Sequence, residues 1–407
     1  MKIFAIILAA GLSSRMGELK PLLDVCGETA LARCCRVFSR AKNVFVVTGH
    51  RREELAPVIA ASGARELFNP DYLEGMFTSI RAGVARAAEC GADGALISPA
   101  DCPLVPPEAV DKVLAAAKKA PDRLAVACFA GKKGHPLYIP RRLFSEILEH
   151  DGENGLRGVT ARHEEELIRV ETRSEGVLMD MDTPEAYRRL LDYATGRTPP
   201  LVSLISGRRF ILTRHGATLP FGEKTFIGRV DVPLSEKGRE DAEKAAREIL
   251  RLHPAAARVY TSPLSRARAT AEVVASALRL PVCEDARLAE LSLGEWDGLA
   301  ISEVRRRFPE QYAARGRNLP GFRVPGGETF YELRQRTADF LRAALTEDSS
   351  PELVIISHKG VIHCVEALVT GVEPELTSRR PEKGETLVLP LKPCCPSRAL
   401  RGNPLDG

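Results

Sequence analysis

The chain has 407 residues, 44% of them hydrophobic and 28% charged, an ordinary globular balance with length enough for about two or three domains. Its formal net charge is only +4, and no Lys/Arg block is interleaved with aromatics, which excludes a nucleic-acid footprint and leaves small anionic substrates as the partners to expect. No apolar run reaches the ~20 residues of a membrane span, the longest being residues 3–12, so no membrane partner is expected either.

The opening "MKIFAIILAAG" fits two descriptions, a buried first strand or a secretory signal with a basic start, an apolar core and small residues. The rest of the chain favours the strand. Its ten cysteines show no C-x-x-C pair with metal-site spacing, a usage that suits reduced thiols in a cytoplasmic protein. Residues 16–23 continue a fold and do not resemble a cleavage junction.

Short apolar runs follow one another as strands buried on both faces: "KIFAIIL", "NVFVVT", "DGALIS" and "RLAVACF". Between them "ETALARCCRVFSR", "RREELAPVIAASG" and "PPEAVDKVLAAAKKA" carry apolar residues at helical spacing. This α/β series stops after "DTPEAYRRLLDYATG", where "RTPPLVSLISG" reads as an exposed connection. A second series then begins with "RRFILT", "SEKGREDAEKAAREIL", "ARVYTS", "LSRARATAEVVASAL" and "ELVIIS". The expectation is α/β with two domains, residues 1–197 and 208–392, each a mostly parallel sheet flanked by helices. Residues 198–207 are a linker, and 393–407, with Cys394 and Cys395, a disordered tail. The halves share no internal repeat.

Open α/β sheets bind ligands at the carboxyl ends of their strands, where the loop "AAGLSSRMGELK" leaves the first strand. Gly11 and Gly17 permit a sharp turn and close approach, Ser13 and Ser14 add donors, and Arg15 and Lys20 add charge. That set suits a polyphosphate, although a glycine loop after a strand can also be only a turn. Asp101, in "GALISPADCPL", ends another strand. A carboxylate beside bound phosphates is a usual Mg2+ ligand. The competing helix-cap role is disfavoured because Asp101 stands too far before "PPEAVDKV".

"LAAGLSSRMGELKPLL", "NPDYLEGMFTSIRAG", "SPADCPLV", "GKKGHPLYIP" and "DMDTPEAY", in that order, resemble the molybdenum-cofactor nucleotidyltransferases, within the Rossmann-type nucleotide-diphospho-sugar transferase fold. The resemblance covers about the first 195 residues. It implies that Gly11, Ser13, Arg15 and Gly17 cradle a nucleoside triphosphate and that Lys20 neutralises the α-phosphate. It further implies that Asp101 holds Mg2+ and that Asp182 contributes to the metal or its shell. "LAAG" is closer to the cytidylyltransferase branch than to the guanylyltransferase branch, which more often reads "LAGG". "ADCP" departs from the commoner Asp-Gln-Pro. His135 lies at a motif position but is also readable as a turn residue, and Asp151 reads as a helix cap.

In the second half "FILTRHG" puts Arg214 and His215 at one strand end, "VYTSPLSRA" puts Arg266 after the next, and "VIISHKG" puts His358 after another. Parallel strands would gather all four around a phosphoryl group, with arginines binding its oxygens and a neutral imidazole as nucleophile. Zinc is disfavoured by the crowding arginines and the lack of a third ligand at suitable spacing. "LAELSLGEWDG" offers Glu290, Glu295 and Asp297 as proton donors, with Trp296 as an apolar neighbour. Residue types alone do not choose among the three.

"LTRHG", "FIGRVDVPLSEKG", "SPLSRARATAEVVA", "LAELSLGEWDG", "PGGETFYELRQR" and "VIISHKGVI" resemble a histidine phosphatase of the phosphoglycerate-mutase-like superfamily over about residues 208–392. The resemblance implies that His215 is phosphorylated, that Glu290 is proton donor and then base, and that Arg214, Arg266 and His358 hold the phosphoryl oxygens. It implies no metal for this half. Ala217 replaces a commoner Glu or Gln, and "TLPFGEKTFIG" lacks an asparagine often found there. The spacing is nearer to α-ribazole phosphatases than to true mutases, and His363 and Cys364 read as core.

The expected function is therefore bifunctional. One half is a Mg2+-dependent transferase using CTP on a phosphorylated cofactor such as molybdopterin, and the other a phosphomonoesterase working through phosphohistidine. An alternative is cobalamin nucleotide-loop assembly by a guanylyltransferase and an α-ribazole phosphatase. A further alternative is that one half is non-catalytic and regulatory.

Overall fold

Every residue of "IFAIILA", Ile3 to Ala9, is buried, so this strand needs cover on both faces and sits inside a sheet. A computed structural model of the chain describes residues 1–13, 16–220, 223–372 and 381–389. It divides into two units, Met1–Pro200 and Leu201–Gly407. No helix among the described residues is long and apolar enough to cross a membrane.

The first unit holds β1 (Ile3–Ala9), β2 (Asn43–Thr48), β3 (Arg65–Phe68), β4 (Gly94–Pro99), β5 (Ala125–Phe129), β6 (Lys132–Pro140) and β7 (Ile168–Glu171), in the order β3-β2-β1-β4-β6-β5-β7. Only β6 runs antiparallel to its neighbours. The helix Met76–Glu89 lies close against this sheet because Gly83 has no side chain: a Cβ there would fall 2.5 Å from Ile6 Cγ2. The helix Ala30–Phe38 starts at Thr29, whose side chain accepts from Ala32 N, a cap worth about 1 kcal/mol.

The second unit holds β8 (Arg209–Arg214), β9 (Val259–Thr261), β10 (Val282–Glu284), β11 (Glu352–Ser357) and β12 (Thr386–Leu389), ordered β10-β9-β11-β8-β12 with β12 antiparallel. Ile211, Val354 and Ile356 are buried at its centre. Each such side chain contributes roughly 1.5–3 kcal/mol. The helix Phe330–Glu347 opens with a reciprocal cap between Thr329 and Glu332.

The apolar strands expected from the sequence are present, and five further strands join them. β3, β7 and β10 are three or four residues long and mixed in polarity, so no apolar run announces them, and β12 is only four residues long. The expected linker differs too. Leu201–Ile205 is a helix with Leu201 and Ile205 buried, so that part of 198–207 belongs to the second unit. Residues 390–407, including Cys394 and Cys395, lie outside the described residues. The described cysteines are free thiols.

Candidate active sites

β1 and β4 are parallel neighbours with Leu8 opposite Pro99, so the loops that leave them emerge side by side. This places Lys20, on a single 3-10 turn (Lys20–Leu22), against Asp101. Its Nζ lies 2.8 Å from Asp101 Oδ2 and 2.7 Å from Asp182 Oδ1, while its backbone N donates to Ser13 Oγ at 3.1 Å. Burial alone would lower the Lys20 pKa, but the two carboxylates outweigh it and hold the ammonium above its usual value. Asp182 just precedes the helix Pro184–Ala194. Three segments far apart in the chain thus meet at one cation.

The loop is shaped by left-handed residues, Ser13 at φ 52° and Gly17 at φ 72°, the latter a conformation that glycine takes without strain. Among the described residues nothing lies within 4 Å of where a Gly11 Cβ would stand, so no packing against them demands glycine there. Arg15, like Ser14, lies outside the described residues. Among the described residues no group of three or more His, Cys, Asp or Glu could hold a metal unaided. Two carboxylates sharing one cation do fit Mg2+, which takes one or two protein oxygens and completes its shell with phosphates and water.

His135 is in β6, not in a turn. Burial lowers its pKa against the opposing pull of Asp101 and Asp180, and its Nδ1 is buried with no hydrogen-bond partner among the described residues. Asp151 does not cap the helix Gly155–Arg162, which begins at Asn154; its Oδ1 accepts from Glu153 N at 2.9 Å in the preceding loop. Cys102, at the departure from Asp-Gln-Pro, is a buried thiol 3.6 Å from Asp101 Oδ1.

In the second unit β8 and β9 flank β11, with Arg214 opposite Ser357 and Thr261 opposite Ile356. The residues leaving these strands therefore share one edge. The rings of His215 and His358 lie 5.0 Å apart and edge to face. His215 Nδ1 is 2.8 Å from Gly216 O. A carbonyl only accepts, so Nδ1 carries the proton and Nε2 keeps its lone pair. His358 Nε2 meets Ser262 Oγ at 2.8 Å. Arg266 is fully buried, and its two terminal nitrogens donate to Val230 O at 2.9 Å and Gly228 O at 2.6 Å. Arg214 Nη1 donates to Pro381 O at 3.1 Å. After these bonds, Arg214 Nε, Arg266 Nε and His358 Nδ1 remain buried with no hydrogen-bond partner among the described residues. Such groups cost roughly 1–3 kcal/mol each unless a ligand takes them.

Glu290 is carried to the same place because Ser357 Oγ donates to Leu288 O at 2.7 Å. Its carboxylate accepts from Leu291 N at 2.9 Å and Gly360 N at 3.4 Å. Trp296 does not shape its surroundings as expected: it is buried among Phe226, Phe308, Tyr312 and Phe322. Ala217 turns its amide to Asp241 Oδ2 at 3.1 Å. His363 and Cys364 are buried in the core. A residue that sequence reasoning missed is Lys383. Gly384 N donates to the carbonyls of Arg214 and His215 at 3.0 and 3.3 Å, which brings the Lys383 Nζ to Thr218 Oγ1 at 3.3 Å.

Burial, reinforced by Arg266 and Arg214, holds the His215 pKa well below its usual value; burial and the neighbouring His215 and Arg266 do the same for His358. In the unfolded chain both titrate near pKa ~6.5. Below that pH the unfolded state binds more protons than the folded one, so stability rises with pH and is lost as pH falls. Each histidine contributes up to about 1.4 kcal/mol per pH unit below ~6.5. Denaturant titrations from pH 7.5 to 5, followed through the sole tryptophan, Trp296, are expected to show the midpoint dropping below pH 6.5. An unchanged midpoint would contradict the neutral pair.

Residues 5–167 match the family model for a MobA-like NTP transferase domain, and residues 210–388 that for the histidine phosphatase superfamily, branch 1. The chain is 33% identical over 154 residues to phosphoglycerate mutase-like protein 4 of Arabidopsis thaliana, covering 37% of this chain and 66% of that protein. It is 30% identical over 172 residues to probable phosphoglycerate mutase GpmB of Cronobacter sakazakii, covering 42% of this chain and 77% of that one. The solved α-ribazole phosphatase from Shigella flexneri is 27% identical with a TM-score of 0.40, covering 44% of this chain and 89% of that one.

Proposed function

We infer two activities from a chain that belongs, through its second unit, to the histidine phosphatase superfamily and that carries a MobA-like NTP transferase domain in its first. Small nucleotides and phosphorylated molecules are the substrates these domains imply.

For the first unit the reading is nucleotidyl transfer from CTP to a phosphorylated cofactor such as molybdopterin. The observation that carries it is the meeting of Lys20, Asp101 and Asp182 beside a glycine loop. Gly11, Ser13, Arg15 and Gly17 hold the triphosphate, and Lys20 moves from the carboxylates to the α-phosphate. An acceptor phosphate oxygen attacks the α-phosphorus, the bond to the β-phosphate oxygen breaks, and pyrophosphate leaves as Lys20 offsets the accumulating charge. Asp101 and Asp182 would hold Mg2+, which when bound neutralises phosphate charge. The choice of CTP rests on Ala10, where the guanylyltransferase branch more often has glycine.

For the second unit the reading is phosphomonoester hydrolysis. The observation that carries it is the set of buried nitrogens without a partner among the described residues, Arg214 Nε, Arg266 Nε and His358 Nδ1, around a neutral His215. His215 Nε2 attacks phosphorus, the ester P–O bond breaks, and Glu290 protonates the departing oxygen. Glu290 then takes a proton from water, whose oxygen attacks the phosphohistidine; the P–N bond breaks and phosphate leaves. The arginines and His358 bind the equatorial oxygens, more tightly as charge builds.

The test is pyrophosphate release from each of the four nucleoside triphosphates, with molybdopterin or cobinamide phosphate as acceptor. CTP with molybdopterin is expected to be fastest. GTP with cobinamide phosphate as the faster pair would replace this reading by nucleotide-loop assembly, and no release with any pair would end both.

A further inference from the structure

Three acids crowd the segment "ELSLGEWDG", and the pocket uses only Glu290. Glu295 is exposed. Asp297 is engaged differently from both. Its Oδ1 accepts from Gly228 N at 2.7 Å, and its Oδ2 from Arg229 N at 2.5 Å and Val230 N at 3.1 Å. Three consecutive amides turned toward one carboxylate require a curled backbone, since an extended chain points successive groups to opposite sides. The curl sends the carbonyls of Gly228 and Val230 to the two terminal nitrogens of Arg266.

Each part of this chain of contacts is braced. A Cβ on Gly228 would lie 2.5 Å from Leu291 O and 3.2 Å from Asp297 Oδ2, so the close approach needs glycine. Phe226 N donates to Leu299 O and Gly298 N to Phe226 O, at 2.9 and 2.8 Å, tying the loop to the strand of chain that carries Asp297. Trp296, directly before Asp297, is fixed by its aromatic neighbours. On the far side, Asp231 Oδ1 accepts from Ser265 N and Ser265 Oγ, both at 2.8 Å, joining the loop to the first turn of the Arg266 helix.

We propose that Asp297 is a positioning residue for the phosphoryl pocket: by gathering the amides of residues 228–230 it presents two carbonyls that lock the Arg266 guanidinium, leaving Nε as the donor for a phosphoryl oxygen. A guanidinium held by two carbonyls at fixed points loses its rotational freedom before substrate arrives, and preorganised donors are worth most in a buried site. Asp297 touches no reacting atom. This rests on the phosphatase reading of the second unit.

The test compares Asp297→Asn, Arg266→Lys and the double variant in the full chain. Asparagine keeps one acceptor but turns an NH2 toward amide donors, so the loop loses its grip. Orthovanadate binding, read by calorimetry, is expected to weaken at least about tenfold in Asp297→Asn. The double variant is expected to bind no worse than Arg266→Lys, because the two residues act through one another. Hydrolysis of para-nitrophenyl phosphate should show the loss as a rise in KM with a fall in kcat, and Asp297→Glu should recover part of both. Losses that add in the double variant, or unchanged vanadate affinity alongside a lowered Tm, would make Asp297 merely structural and overturn the proposal. If Asp297→Asn does not fold, Asp297→Glu carries the same vanadate cycle with Arg266→Lys. A wild-type chain that binds vanadate yet hydrolyses no phosphomonoester would sink the phosphatase reading while leaving this cycle measurable.

Discussion

Replacing His215 by asparagine is expected to abolish phosphomonoester hydrolysis, lowering kcat by at least about a thousandfold, while nucleotidyl transfer by the same chain stays within about twofold. Asparagine is the informative substitution because its side-chain NH2 can still donate to Gly216 O, the bond that His215 Nδ1 makes at 2.8 Å, but it offers no lone pair to phosphorus. The large loss follows from the chemistry. Without a nucleophile the two-step path through a P–N bond is closed, and the arginines can only bind. A labelled phosphomonoester quenched in alkali should leave acid-labile phosphate on the wild type and none on the variant. Residual hydrolysis above a tenth of wild type, with folding intact by circular dichroism, would dismiss His215 as nucleophile.

The second large effect is at Lys20. Lys20→Met is expected to reduce nucleotide-dependent pyrophosphate release by about a hundredfold to a thousandfold, because no other described cation touches both Asp101 and Asp182. The same substitution should act in the opposite direction on metal binding. The ammonium now sits between the two carboxylates, so removing it takes away the cation they share and frees that position for a divalent cation. Mn2+ titration by electron paramagnetic resonance, without nucleotide, is expected to show at least about tenfold tighter binding to Lys20→Met than to the wild type. Adding Asp101→Asn should cancel that gain. Equal Mn2+ affinity in wild type and Lys20→Met would mean that the lysine does not hold the cation position.

Much of both sites was readable before any coordinates because each motif ends an apolar strand, and parallel strands deliver their carboxyl ends to one edge. Lys20, Asp101, His215 and His358 were legible on that ground. Glu290 was separable from Glu295 and Asp297 only by resemblance, since the three share a chemistry and stand within eight residues of one another. Lys383 gave no signal, because its approach to the pocket depends on Gly384 bonding to the carbonyls of Arg214 and His215, contacts across most of the second unit's length. His135 stayed open between a motif position and a turn because "KKGHPLYIP" holds glycine and proline, which usually punctuate strands. Here they stand in the one antiparallel strand of the sheet.

Local sequence determined the apolar strands at the centre of each sheet, the helices between them and the residue types that wait at those strand ends, since hydrophobic period and turn chemistry act over a few residues. Tertiary structure alone decided which ends are neighbours: the order β3-β2-β1-β4 sets Asp101 beside Lys20, and β9-β11-β8 brings Arg266, His358 and His215 together. It also decided which acid reaches the start of the helix after His358 and which gathers the amides of residues 228–230. Those choices depend on distances between segments tens to hundreds of residues apart, and no local pattern encodes them.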